Sequence, residues 1–110
     1  MRVHLVKEVT LKEYARENAR FRSIVRHWLS KIKCADWRAP ENILQDFSSA
    51  DLLANGSGRV VFDLGGNNCR MICKYYFGRK VVHLYICWVG THREYDEICR
   101  KGLQFTIIDY

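Results

Sequence analysis

The sequence predicts an α+β domain in the order βαα(α)βββα, a small antiparallel sheet packed against N-terminal helices. Three observations carry this. Between about residues 10 and 33 apolar residues recur every three to four positions, the period of a helix with one buried face. From residue 59 the period changes to two, and Val, Ile, Tyr, Phe and Trp dominate 59–64 (RVVFDL), 68–77 (NCRMICKYYF) and 81–89 (VVHLYICWV). These runs are separated by Gly65-Gly66-Asn67 and Gly78-Arg79-Lys80, residues suited to hairpin turns.

Taken in order, residues 2–7 (RVHLVK) alternate around Val3 and Leu5 and predict a short strand. Thr10-Leu11-Lys12-Glu13 has the spacing of a capping box, with Thr10 as N-cap and Glu13 at the third helical position. The apolar stripe runs through Leu11, Tyr14 and Ala15, then Phe21, Ile24, Val25, Trp28, Leu29 and Ile32. It weakens near Asn18, which suits a second cap, so two helices are expected at about 10–17 and 19–33. Residues 34–40 read as a loop, and Pro40 suits the start of a short helix to about residue 46. Ser48-Ser49-Ala50-Asp51 reads as a turn or a further cap, and Asn55-Gly56-Ser57-Gly58 as a loop. After the three-stranded meander, Thr91-His92-Arg93-Glu94 forms a second capping-box pattern and opens a helix to about Lys101. The tail, Leu103 to Tyr110, is apolar enough for a further strand.

A chain of 110 residues with 48% hydrophobic content is the size of one domain with its own core, here 1–110. No apolar run approaches the ~20 residues of a membrane span, and the N-terminus lacks an apolar signal-peptide segment. A soluble cytoplasmic protein with no membrane partner is the expectation. Five cysteines, an odd number without CxxC spacing, read as buried free thiols in a reducing compartment, with no metal site and no cofactor. Lys and Arg total 18 against 12 Asp and Glu, a net charge of +6, which favours a polyanionic partner, nucleic acid or acidic protein.

Strand alternation places Cys69, Met71, Cys73 and Tyr75 on one face of 68–77, and Arg70, Ile72, Lys74 and Tyr76 on the other. Two cations followed by an aromatic suit an open face that meets phosphates and bases, although an ordinary solvated face has the same composition. Asn67 and Asn68 suit a turn, and Arg79 and Lys80 a solvated hairpin tip. His83, His4 and His27 read as structural histidines. His92 differs, because it follows a strand end at the start of a capped helix, where amide groups favour anions and an imidazole can do acid–base work. Tyr95 lies one turn on, placed to orient or stack a base or to assist proton transfer. Glu94 is most simply the capping partner of Thr91, with a general-base role the alternative. Arg70, Lys74, His92 and Tyr95 are therefore the candidate catalytic set, and Arg59, Asn68, Tyr76, Arg79, Lys80 and Arg93 the candidate RNA contacts. The set suits RNA cleavage by the ribose 2′-OH, which needs a base, cations for the phosphorane and an acid for the leaving oxygen.

The stretch from Arg59 to Ile98 resembles the HigB-type toxins of bacterial type II toxin–antitoxin systems, within the RelE superfamily. The likeness lies in the RVVF strand, the G-N-x-x-R pattern ending in Asn67-Asn68-Cys69-Arg70, and the closing VGTHREYD of residues 89–96. Upstream, Trp37, Pro40, Asp46, Phe47, Ala50 and Asp51 match the family's x-x-W-x-x-P…D-F-x-x-A-D segment, so the resemblance covers about residues 1–99. It implies a RelE-like fold and a ribosome-dependent mRNA endoribonuclease (mRNA interferase) that cleaves mRNA in the ribosomal A site. It also implies a HigA-type helix-turn-helix antitoxin, in a heterotetramer with the toxin. The tail, GLQFTIIDY, departs from the family by being more apolar than a usual toxin end. If it folds over the sheet, it would partly cover the site. A RelE-fold toxin acting on a protein target such as DNA gyrase, and a non-catalytic RNA-binding domain, are the alternatives.

Overall fold

A computed structural model describes residues 1–54, 56–66 and 68–110; Asn55 and Asn67, assigned above to a loop and a turn, lie outside the described residues. Strand β1 (Arg2–Val6) leads into α1 (Glu8–Glu17), a 3-10 turn (Ala19–Phe21), α2 (Arg22–Cys34) and α3 (Glu41–Asp46). There follow β2 (Asp51–Leu52), β3 (Arg59–Leu64), β4 (Cys69–Phe77), β5 (Val81–Thr91), α4 (His92–Arg100) and a 3-10 turn (Leu103–Phe105). The five strands form one sheet in the order β1-β5-β4-β3-β2. Seven of the expected elements hold to within about two residues of their bounds, and the meander β3-β4-β5 is antiparallel throughout.

The sheet is mixed rather than wholly antiparallel. The chain must return from β1 through α1 and α2, so β1 comes to lie parallel to β5, with His4 opposite His83 and Val6 opposite Tyr85. Asp51 is not in a turn or cap but in β2, which adds a two-residue edge to β3. The first helix starts three residues earlier than its capping pattern suggests. Lys7 takes a left-handed conformation (φ 73°) and turns the chain straight from β1 into α1, so Lys7 rather than Thr10 is the N-cap and Thr10 N–H donates to Lys7 O. Asn18 does not cap the next helix with its side chain; its Nδ2 donates back to Tyr14 O.

Helices α1 and α2 cover one sheet face. Leu11, Ala15, Val25, Trp28 and Ile32 meet Val60, Phe62, Met71, Cys73, Leu84 and Ile86 in a single buried cluster. Trp28 and Phe47 both pack edge-on against Phe62, with centroids 5.1 and 5.0 Å away. Each fully buried large side chain stabilises the fold by roughly 1.5–3 kcal/mol. No helix among the described residues is long and apolar enough to cross a membrane.

The second face carries a smaller cluster of Val61, Ile72, Cys87, Trp88 and Tyr95. Strand β5 is bulged here: Ile72 pairs with Trp88 and Cys73 with Ile86, so Cys87 is the extra residue. The bulge puts Cys87 and Trp88 on the same face and lets Val82, Leu84, Ile86 and Val89 all reach the main core.

The tail is not a strand. After the 3-10 turn it crosses the second face from β3 to β5. Arg59 Nη1 donates to Gln104 O (3.3 Å) and Ile107 O (2.8 Å), Ile107 packs on the smaller cluster, Asp109 N–H donates to Cys87 O (2.8 Å), and the Tyr85 hydroxyl donates to Tyr110 O.

Candidate active site

The corner in question is built where β5 ends and α4 begins. The helix start is fixed by a reciprocal capping box: Glu94 N–H donates to Thr91 Oγ1 (3.2 Å), and Thr91 N–H donates to Glu94 Oε1 (2.8 Å). Glu94 is thus engaged in capping, the simpler of its two expected roles. Just before the cap, Gly90 lies opposite Arg70 in the ladder. A β-carbon built on Gly90 would stand 2.6 Å from Trp88 Cζ2 and 2.9 Å from Glu94 Oε1, so only glycine lets the indole and the cap carboxylate sit this close.

Tyr95, one turn into α4, points inward and is 9% exposed. Its ring lies 6.2 Å from the Trp88 ring, and the Arg70 guanidinium carbon stands 5.4 Å from its centroid. On the side of β3, Arg70 Nε is 3.7 Å from Asp63 Oδ1, its neighbour across the ladder. Arg70 is therefore held between a carboxylate and an aromatic face. The Tyr95 hydroxyl has its pKa pushed up, by burial first and then by its hydrogen bond and charge interaction with Cys99, so it stays protonated. Its ring is enclosed between Trp88 and Arg70 and its hydroxyl is engaged with Cys99, so in this state it offers no open face to a base.

His92 opens α4 with a partly exposed side chain, and its Nδ1 lies 3.1 Å from Asp96 Oδ2, one turn on. An ionised carboxylate can only accept, so Nδ1 carries the hydrogen, and in the neutral ring Nε2 is then the acceptor. That is the tautomer a general base requires.

The structure thus brings Arg70, Tyr95 and His92 to one corner. It does not bring Lys74 there. Lys74 faces the same side, but it is four positions along β4, about 13 Å away, with Ile72 and the tail's Ile107 between. Among the expected RNA contacts, Asn68 is exposed and its Nδ2 donates to Gly65 O (2.6 Å), which pins the turn. Tyr76, Arg79, Lys80 and Arg93 are exposed. Arg59 is not: it is 3% exposed and bound to the tail, which removes it from any RNA-facing surface in this state. His83 and His4, expected to be structural, are exposed, because the alternation that sends Val82 and Leu84 into the core sends His83 outward.

Sequence reasoning missed Asp63, Trp88 and Asp96. Counting back from the Gly65-Gly66 hairpin places Asp63 opposite Arg70, and Asp96 is four residues from His92 on a helix, so both signals were present. Trp88 depends on the bulge, which no local pattern marks. Of the five cysteines, all free, Cys69, Cys73 and Cys87 are buried, Cys99 is half-buried, and Cys34, against expectation, is exposed. Among the described residues no three His, Cys, Asp or Glu side chains gather to hold a metal ion. A groove of about 330 Å³ lies on the helical side between α1 and α2, remote from this corner, with Lys12, Arg16, Arg22, Arg26 and Lys33 around Ala15, Val25 and Leu29.

Residues 21–98 match the model of a family described as HigB toxin, the RelE-like toxic component of a toxin–antitoxin system. The mRNA interferase HigB of Escherichia coli O6:H1 (strain CFT073) is 26% identical over 98 residues, covering 89% of this chain and 93% of that protein. The mRNA interferase toxin HigB of Escherichia coli K12 is 28% identical over 94 residues, covering 86% and 88%. Because the family match spans residues 21–98, with both the Arg70 strand and the His92 helix start inside it, the chain belongs to the HigB toxins, RelE-like toxic components of toxin–antitoxin systems.

Proposed function

We propose that this chain is an endoribonuclease that cleaves mRNA on the ribosome and so stops translation. The observation that carries it is the corner itself: a guanidinium held by Asp63 and Tyr95 opposite Gly90 and, two residues on from that glycine, an imidazole whose Nδ1 is held by Asp96. The relatives named mRNA interferases support the substrate class.

In this reading His92 Nε2 takes the proton of a ribose 2′-OH. The 2′-oxygen attacks the adjacent phosphorus, the phosphorus–O5′ bond breaks, and a 2′,3′-cyclic phosphate and a 5′-hydroxyl are left. Arg70 stabilises the charge that builds on the phosphorane oxygens. Of the four histidines, His4 and His83 lie at the other end of the sheet and His27 on α2, so His92 is the imidazole at this corner. In-line attack puts the leaving oxygen on the side away from the base, so its proton comes from outside the corner, which favours cleavage that needs the ribosome. The partner is a cognate antitoxin of HigA type, a helix-turn-helix protein, assembled with the toxin as a heterotetramer; the +6 charge suits an acidic face on it.

The test is a reconstituted translation reaction with a defined mRNA, mapping 3′ ends for the wild type and His92→Ala. Cuts at the A-site codon that need ribosomes and fade in the variant are expected. Intact mRNA with wild-type protein would sink the proposal and move attention to a protein target.

A further inference from the structure

The end of the second face away from His92 carries three side-by-side rings that the cleavage corner does not use. In the ladder His4 lies opposite His83, and His83 opposite Tyr76, so the three cross β1, β5 and β4 in one row. The His4 and His83 rings are 5.8 Å apart and edge-on, and the His83 and Tyr76 rings are 6.2 Å apart. All three are exposed, Tyr76 at 69%. No described residue packs over them: α1 and α2 cover the opposite face, and on β5 the tail's hydrogen bonds are to Tyr85 and Cys87.

The surroundings are cationic. Lys74 precedes Tyr76 on the same face of β4, and Arg79 and Lys80 form the exposed tip of the hairpin that joins Tyr76 to His83. The residues facing this way in the row and its two neighbours on β1, β5 and β4 are Arg2, His4, Val6, Val81, His83, Tyr85, Lys74 and Tyr76, and none is acidic. Exposed rings with flanking cations fit a chain of stacked bases with a phosphate backbone, and fit an acidic peptide less well, since the side chains that make a peptide acidic carry no aromatic ring to stack. Tyr76 is six positions from Arg70 along β4, about 20 Å, a span of three to four nucleotides of extended strand.

We propose that His4, His83 and Tyr76 form a second RNA-contact platform, which stacks unpaired bases while Lys74, Arg79 and Lys80 neutralise the phosphates beside them. It rests on the function proposed above only for the identity of the RNA, which is either the message flanking the cut or an unpaired stretch of ribosomal RNA.

The test is anisotropy with a labelled single-stranded oligouridine 12-mer, in a His92→Ala background so that the probe survives. Tyr76→Ala and His83→Ala should each weaken binding about tenfold, Tyr76→Phe should bind like its parent, and Lys74→Ala should flatten the log–log salt slope by about 0.7. Unchanged affinity in Tyr76→Ala and His83→Ala overturns the platform. So does an equal loss on an A-form duplex of the same length, because paired bases cannot stack on these rings. Two further arms identify the source, and either result supports the platform: weaker binding of Tyr76→Ala to vacant ribosomes marks ribosomal RNA, and a loss seen only on mRNA-programmed ribosomes marks the message. A failure of the cleavage proposal shows separately, as intact mRNA with wild-type protein.

Discussion

The Arg70 guanidinium lies over the face of Tyr95, 5.4 Å from the ring centroid, so β4 and α4 are joined by a cation–ring contact at the chain's last β-to-α junction. The ring is backed by Trp88 and enclosed, and it can only support what lies above it. Arg70→Ala should therefore lower cleavage by about 10²–10³-fold, the usual effect of losing one preorganised charge on a transition state. Arg70→Lys should recover only part of this, since an ammonium cannot lie flat on the ring. Tyr95→Phe should keep most activity, because it keeps the ring. Single-turnover cleavage on programmed ribosomes reads all three, and full activity in Arg70→Ala would remove this residue from the site.

The Nδ1 contact to Asp96 predicts an ordered series at His92. His92→Ala should lose on the order of 10²–10⁴-fold, the usual contribution of a general base. Asp96→Ala should lose less, since the imidazole remains but its tautomer is no longer held. Asp96→Asn should fall between Asp96→Ala and the wild type, because the amide oxygen still accepts from Nδ1. An Asp96→Ala protein as impaired as His92→Ala would instead point to a direct role for the carboxylate.

Local chemistry was legible wherever a short pattern determines it. The second capping box, the two hairpins and the inward and outward faces of β4 follow from residue type and spacing alone. The first capping box failed because the left-handed turn at Lys7, which no residue preference marks, settled the helix start before Thr10 was reached. Long-range placement was hidden for a different reason, since it depends on pairing between distant segments. Nothing in RVHLVK says that β1 will lie parallel to β5, and so nothing placed His4 beside His83. The bulge at Cys87 was equally invisible, yet it brings Trp88 under Tyr95 and leaves a carbonyl for the tail. Arg59, legible as a cation at a strand start, could not be seen to be buried without the tail's path.

The glycine of the VGTH segment should be intolerant of substitution for a packing reason. Gly90→Ala places a methyl group 2.6 and 2.8 Å from the Trp88 ring and 2.9 Å from the cap carboxylate. Overpacking of this kind costs about 1–3 kcal/mol, and here it also strains the cap that positions His92. Urea unfolding should show a lower midpoint with an unchanged slope. A variant as stable as the wild type would mean that Trp88 can swing aside.

The cysteines should separate by accessibility and should shape stability in alkali. Cys34 is exposed, whereas burial pushes the Cys69 thiol up to about 11 and raises Cys73 well above its ordinary value. A thiol-specific disulfide reagent should modify Cys34 first and Cys69, Cys73 and Cys87 only on unfolding. For stability the sign follows from proton binding. Between the ordinary thiol value of 9.0 and about 11 the folded state holds the Cys69 proton and the unfolded state releases it. Stability is then complete below pH 9 and falls as pH rises through that window. Cys69→Ser should reduce the fall between pH 9 and 11, and an identical decline in the variant would assign it to other groups.

Arg59 and the tail should behave as one unit. Arg59 Nη1 is shared between Ile107 O and Gln104 O, on a side chain buried to 3%. Hydrogen bonds to a charged group contribute about 1.5–3 kcal/mol, so Arg59→Ala should lower stability by about that amount in urea unfolding. Arg59→Lys should recover only part of this, because its ammonium ends short of the position from which Nη1 reaches both carbonyls. Truncation after Gly102 should also destabilise, by uncovering the cluster of Val61, Ile72 and Cys87 on which Ile107 packs. The decisive comparison is the double-mutant cycle. If the tail is what Arg59 holds, Arg59→Ala should cost markedly less in the truncated chain than in the full one, because its partners are already gone. Equal costs in both backgrounds would mean that Arg59 supports β3 by itself, and that the tail rests on Ile107 and on the Asp109 amide at the Cys87 bulge.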